Sequence, residues 1–148
     1  LRGPKGVQTY TVLEDLSQSD REPIRYYSGT IVYETDFTFT AKPEGCVYLN
    51  LNRVGVMAKV KVNGRYAGGV WTSPYRVEVT DLVKNGENHL EVEVVTTWQN
   101  RLIGDSGLPE SERSTWIPVN NWTIKDSLQP SGLMGPVVLE TENYLWDN

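Results

Sequence analysis

The sequence predicts an all-β fold, an antiparallel β-sandwich of the jelly-roll type, on three observations. Apolar residues recur with period two along most of the chain. Asn-Gly and Gly-containing steps separate the alternating runs, and no stretch carries a sustained helical period. Strands with one polar face suit antiparallel sheets packed on a single core. Many short strands joined by such turns build sandwiches.

The first run sets Ile31, Tyr33, Thr35, Phe37 and Phe39 against Thr30, Val32, Glu34, Asp36 and Thr38. Val47, Leu49 and Leu51 form the second run, and Ala58, Val60 and Val62 the third, against Lys59 and Lys61. Asn63-Gly64 then separates two strand patterns, and both residues tolerate the positive φ of a two-residue type I′ hairpin. Trp71, after Gly68-Gly69, reads as a core residue. Pro74 opens the run of Tyr75, Val77 and Val79, at a strand start where its missing N–H costs least. Asp81-Leu82-Val83 reads as a short helical turn and residues 84–88 as a second turn. Leu90, Val92 and Val94, and later Val137 and Leu139, complete the strands. Cys46, heading the second run, reads as a buried, inert thiol.

With 148 residues and 16.7 kDa, residues 1–148 read as one domain. A chain of this length buries roughly 70% of its unfolded surface and needs no disulfide or metal to hold a core. The 14 basic and 19 acidic residues give a net charge of −5, which repels phosphate backbones and excludes generic nucleic-acid binding. The apolar runs fall far short of the ~20 residues a bilayer span requires, so no membrane partner is expected. One cysteine excludes an internal disulfide and a Cys-based zinc site, and His89 alone would have to carry any imidazole catalysis. Leu1 in place of an initiator methionine reads as a mature fragment or an excised domain.

Residues 104–131 break the alternation with Pro109, Pro118 and Pro130, polar clusters, Trp116 and Trp122. A connection this long is usually functional or disordered, and its two tryptophans favour packing. An ordered excursion across the rim or over one sheet is therefore expected. The indoles of Trp98, Trp116 and Trp122 could stack on the C–H face of a pyranose, with Asn100, Asn120 and Asn121 supplying polar contacts. The preferred reading is that these indoles cover the end of the sandwich or meet a neighbouring domain. Arg101 offers a planar fork of donors and Asp105 a carboxylate, so the pair reads mainly as an anchor for the excursion. Both join Trp98, Asn100, Trp116 and Trp122 as candidate carbohydrate contacts. Gly104 reads as a backbone turn between them.

Asp105, Glu110 and Glu112 are the carboxylates of this region, but glycoside hydrolysis needs a fixed pair with one member held protonated by burial. Glu110 and Glu112 sit among Ser111, Arg113 and Ser114 as a solvated loop, so no catalytic residue is assigned. Asp15 with Asp20, and Asp81 with Asn88, lack diagnostic calcium spacing; no cofactor is assigned and a structural calcium stays open. Asn121-Trp122-Thr123 matches the N-glycosylation pattern.

One ordered series carries a resemblance. It runs through residues 62–68 (Val-Asn-Gly-Arg-Tyr-Ala-Gly), Ser73-Pro74-Tyr75, Val79-Thr80-Asp81-Leu82-Val83 and Gly86-Glu87-Asn88 with Leu90-Glu91-Val92. This series resembles the sugar-binding, galactose-binding-like jelly-roll domain of family-2 glycoside hydrolases. Tyr26-Tyr27-Ser28-Gly29-Thr30, the stretch from Trp98 through Asp105, and Gly132-Leu133-Met134-Gly135-Pro136-Val137 are similar to the carboxy-terminal β-sandwich of α-L-rhamnosidase-like family-106 hydrolases. The resemblance covers residues 24–139. It implies a non-catalytic accessory module whose partner is a catalytic domain, usually a TIM-like barrel, holding the acid and base. It also implies a secreted or periplasmic parent and a possible share in recognising oligo- or polysaccharide. An autonomous carbohydrate-binding module and a small self-contained glycosidase are the other readings. An exposed, coplanar tryptophan pair would favour the module, buried indoles the accessory domain, and a close carboxylate pair in a cleft the glycosidase.

Overall fold

The computed structural model describes residues 6–40 and 45–143. Among these described residues seven strands form: β1 (Thr30–Phe39), β2 (Gly45–Asn50), β3 (Met57–Val62), β4 (Arg65–Val70), β5 (Arg76–Glu78), β6 (Gly86–Val95) and β7 (Val138–Asn143). They make a four-stranded sheet in the order β1-β6-β3-β4 and a three-stranded sheet in the order β5-β2-β7. All pairings are antiparallel. The predicted β-sandwich is what forms.

Period two places the core. Ala58, Val60 and Val62 of β3 and Leu90, Val92 and Val94 of β6 turn inward from one sheet. Val47 and Leu49 of β2 and Val77 of β5 meet them from the other, with Leu51 and Val79 just past the strand ends. Their polar alternates stay outside and pair across strands, Lys61 with Glu91 at 2.5 Å and Lys59 with Glu93 at 3.3 Å. Asn63 and Gly64 join β3 to β4 with φ of 52° and 75°, the positive pair a type I′ turn needs. On one side the two sheets close tightly, since a Cβ on Gly68 of β4 would meet Val77 Cγ1 of β5 at 3.0 Å.

The turn before β6 is organised by buried Asn88, whose carbonyl accepts from Lys84 N–H and whose amide donates to the Lys84 and Gly86 carbonyls. Asp15 caps a 3-10 turn (Leu16–Gln18) through Ser17 N–H and also accepts from Ser131 N–H, 116 residues away. Backbone capping accounts for this carboxylate, and among the described residues no group of three His, Cys, Asp or Glu side chains could hold a metal ion. No helix of the described residues is long and apolar enough to cross a membrane.

Three expectations are corrected. A helix, α2 (Trp98–Ser106), forms where no helical period was read. Its buried face consists of Asn100, Ile103, Gly104 and Asp105, so polar and small residues fill positions where a hydrophobic stripe would have signalled it. Trp71 is 70% exposed because β4 ends with Val70 turned inward, which points the next side chain out. Cys46 is half-buried on the outer face of β2, because inward Val47 and Leu49 leave it the opposite parity.

Candidate functional site

The site begins with helix α2. Thr97 caps its first turn, its hydroxyl accepting from Gln99 N–H at 3.2 Å. The helix packs on Tyr26, the residue after a short helix, α1 (Glu22–Arg25): a Cβ on Gly104 would lie 2.6 Å from Tyr26 Cγ. Gly104 thus serves close packing inside a helix and not the backbone turn expected of it.

Three polar side chains or carbonyls of α2 hold the excursion that follows. Asn100 is 0% exposed and grips Gln129 from both sides, donating to its carbonyl at 2.7 Å and accepting from its N–H at 2.8 Å. Asp105 is 1% exposed and accepts from Thr115 N–H at 2.8 Å, Thr115 Oγ1 at 2.6 Å and Arg101 Nη2 at 2.5 Å. The Leu102 carbonyl accepts from Asn120 Nδ2 at 2.9 Å. Burial pushes the Asp105 carboxyl up, but hydrogen bonds from Thr115 and Ser114 and the Arg101 charge outweigh it and hold the group below the usual carboxylate range.

Between these stakes the indoles point outward. Trp116, one residue past Thr115, is 82% exposed, and Trp98, Val119, Trp122 and Ile124 are exposed as well. Of the two halves of the expectation, cover for the end of the sandwich or contact with a neighbouring domain, this exposure speaks against the first alone. Of the six candidate carbohydrate contacts, Trp98, Trp116 and Trp122 thus present surface, and Arg101 is partly accessible. Asn100 and Asp105 present none, since burial commits their polar atoms to the chain itself. Glu110 and Glu112 lie exposed on a 3-10 turn (Glu110–Glu112). Sequence reasoning missed Thr115 and Gln129 as the far ends of the stakes, which no local pattern marks.

A shallow groove of about 380 Å³ lies between α1 and α2, lined by Glu22, Tyr26, Arg101, Leu108 and Ile124 among others. Exposed apolar side chains thus sit on a loop tied to α2 by buried hydrogen bonds.

The comparisons fit this architecture. A rhamnosidase from Novosphingobium sp. PP1Y superposes with a TM-score of 0.81 and 40% identity over 86% of this chain and 12% of its own. A protein of Formosa agariphila named "Putative beta-glucuronidase" is 37% identical over 84% of this chain and 13% of its length. The β-glucuronidase of Ruminococcus gnavus shares the fold, with a TM-score of 0.52 and 18% identity over 63% of this chain and 16% of that one. The chain therefore spans only about an eighth of the rhamnosidase and of the Formosa protein. The family model for the glycosyl hydrolase 2 galactose-binding domain-like domain matches residues 11–105, from the amino-terminal segment to the Asp105 stake. The chain belongs to the glycosyl hydrolase 2 galactose-binding domain-like family.

Proposed function

We propose that this chain is a non-catalytic accessory β-sandwich domain of an α-L-rhamnosidase-like glycoside hydrolase. In this reading it packs on a catalytic domain through the excursion staked to α2, in a secreted or periplasmic enzyme. The observation that carries the reading is the 40% identity to a rhamnosidase of which the chain matches only 12%. Exposed Trp98, Trp116 and Trp122 are what the module reading asks for, but they do not count against the accessory domain, because an indole that meets a neighbouring domain is equally bare in the chain alone. Anchoring such indoles on buried bonds keeps the surface preorganised, which lowers the entropic cost of docking.

The second reading, a carbohydrate-binding module, draws on the same exposure, above all that of Trp116. Acrylamide quenching separates the two. If the indoles pack on a neighbour, Trp116 fluorescence quenches readily in the 148-residue chain and poorly in the longer enzyme. If they bind glycan, quenching is equal in both, and the short chain binds a glycan array with a signal that Trp116→Ala abolishes. Turnover of an aryl rhamnoside by the short chain would overturn both readings.

A further inference from the structure

The two sides of the sandwich differ. Where β4 meets β5 the sheets touch, but between the outer strands β1 and β7 a cavity of about 930 Å³ opens into the core. Its walls include Tyr33, Phe37, Leu90, Leu133, Val137 and Leu139. Residues 6–13 line its mouth, yet none of their backbone groups bonds to β1. Val7 and Val12 in that segment are exposed.

The edge of β1 that no other described strand pairs can be read from its register. Thr96 N–H donates to the Gly29 carbonyl at 2.9 Å, so Gly29 faces β6 at the head of the ladder. The pairing then runs without a shift from Thr30↔Val95 to Phe39↔Gly86. Alternation directs the backbone groups of Val32, Glu34, Asp36 and Thr38 away from β6. The Thr30 carbonyl lies on that same side and is met there by the Tyr27 hydroxyl at 2.9 Å. A long edge of this kind is a template for another strand.

Charge narrows the occupant. Glu34 and Asp36 stand on the outer face of β1, where among the described residues the imidazole of His89 lies 2.7 Å from Asp36 and 3.9 Å from Glu34. Two copies pairing β1 to β1 would set these carboxylates against each other, and like charges directly opposite destabilise a sheet. We infer that β1 takes up a strand from elsewhere in the parent polypeptide, with apolar side chains entering the seam and basic ones lying beside Glu34 and Asp36. Main-chain bonds would supply affinity and the alternating side chains specificity. The source of the strand rests on the accessory-domain reading, since seven-eighths of such an enzyme lies outside the matched region.

Hydrogen exchange at Val32, Glu34, Asp36 and Thr38 tests this. In the 148-residue chain these amides exchange fast, while those of Ile31, Tyr33 and Phe37, bonded to β6, are protected. A seven-residue peptide alternating Lys and Val slows the edge amides at least about tenfold, and one alternating Glu and Val does not. The double variant Glu34→Lys, Asp36→Lys reverses that preference, its fold verified by the amides facing β6. In the longer enzyme the four edge amides are protected without any peptide. Equal protection by both peptides, protection by neither, protection that grows with the chain's own concentration, or fast edge exchange in the longer enzyme each overturns the inference. Trp116 quenching reports on the excursion and not on β1, so failure here and failure of the accessory-domain reading are told apart.

Discussion

The Tyr26 side chain lies against Gly104 so closely that a Cβ there would sit 2.6 Å from Tyr26 Cγ. This contact sets helix α2 on the segment ahead of β1 and so fixes where the excursion begins. Gly104→Ala should gain roughly 1 kcal/mol in helix propensity but lose more to overpacking, which typically costs about 1–3 kcal/mol. A net loss of about 1–2 kcal/mol is expected, read as a fall of several degrees in melting temperature. A variant that melts higher than the wild type would show that Tyr26 yields freely.

The sandwich was legible in the sequence because strand alternation needs no knowledge of distant residues. Val47, Leu49, Val60, Val62, Val92 and Val94 each announce their inward face through their own neighbours. Helix α2 was not legible, because Ile103 is the one large apolar residue on an inward face otherwise made of Asn100, Gly104 and Asp105, which meet hydrogen bonds to Gln129 and Thr115 and the Tyr26 ring. Those partners lie 10 to 78 residues away, and no local period encodes them. The Arg101–Asp105 pair was legible only as a donor fork and a carboxylate able to satisfy each other, while the i,i+4 helical spacing that joins them was not.

The β3–β4 turn gives a second prediction. Gly64 has φ of 75° and open space where a Cβ would stand, so a substitution there meets strain and no clash. Gly64→Val places a β-branched side chain in the left-handed region at a cost of about 1–3 kcal/mol. Gly64→Asn, which tolerates that region, should cost far less. Equal melting of the two variants would contradict the type I′ assignment.

Asn88 is the third case. It is buried and ties Lys84, Gly86 and Asn63 together, with Asn63 Nδ2 donating to Asn88 Oδ1 at 2.9 Å. Asn88→Ala strands the Lys84 N–H, frees an Asn63 donor and leaves a small void, a loss of about 2–3 kcal/mol. Urea denaturation should show a lower midpoint with an unchanged slope. Asn88→Asp keeps the acceptor but removes two donors, so it should be destabilised too.

Arg101 and Asp105 carry the last prediction, because their pairing decides whether the excursion is held or merely tethered. Asp105 is 1% exposed and keeps its bonds to Thr115 when Arg101 is lost, whereas the Arg101 side chain is partly exposed although its Nε is buried. Arg101→Met should therefore cost about 1–3 kcal/mol, less than the 3–5 kcal/mol of a fully buried pair left with one charge. Asp105→Asn should cost at least as much at pH 7, since it removes the charge that both Thr115 and Arg101 address. The pH dependence follows from the direction of the shift: the folded-state value lies below the unfolded one. A group of this kind contributes its full stability above the unfolded carboxylate value, near pH ~4, and loses it as pH falls through the depressed folded value. The stability gap between wild type and Asp105→Asn should thus be wide at pH 7 and narrow steadily below about pH 4. Urea midpoints measured across that range provide the check, and a gap that stays constant down to pH ~2 would remove the charge from the argument. Unchanged melting of Arg101→Met together with lost glycan binding would instead make Arg101 a ligand contact and raise the carbohydrate-binding reading over the accessory one.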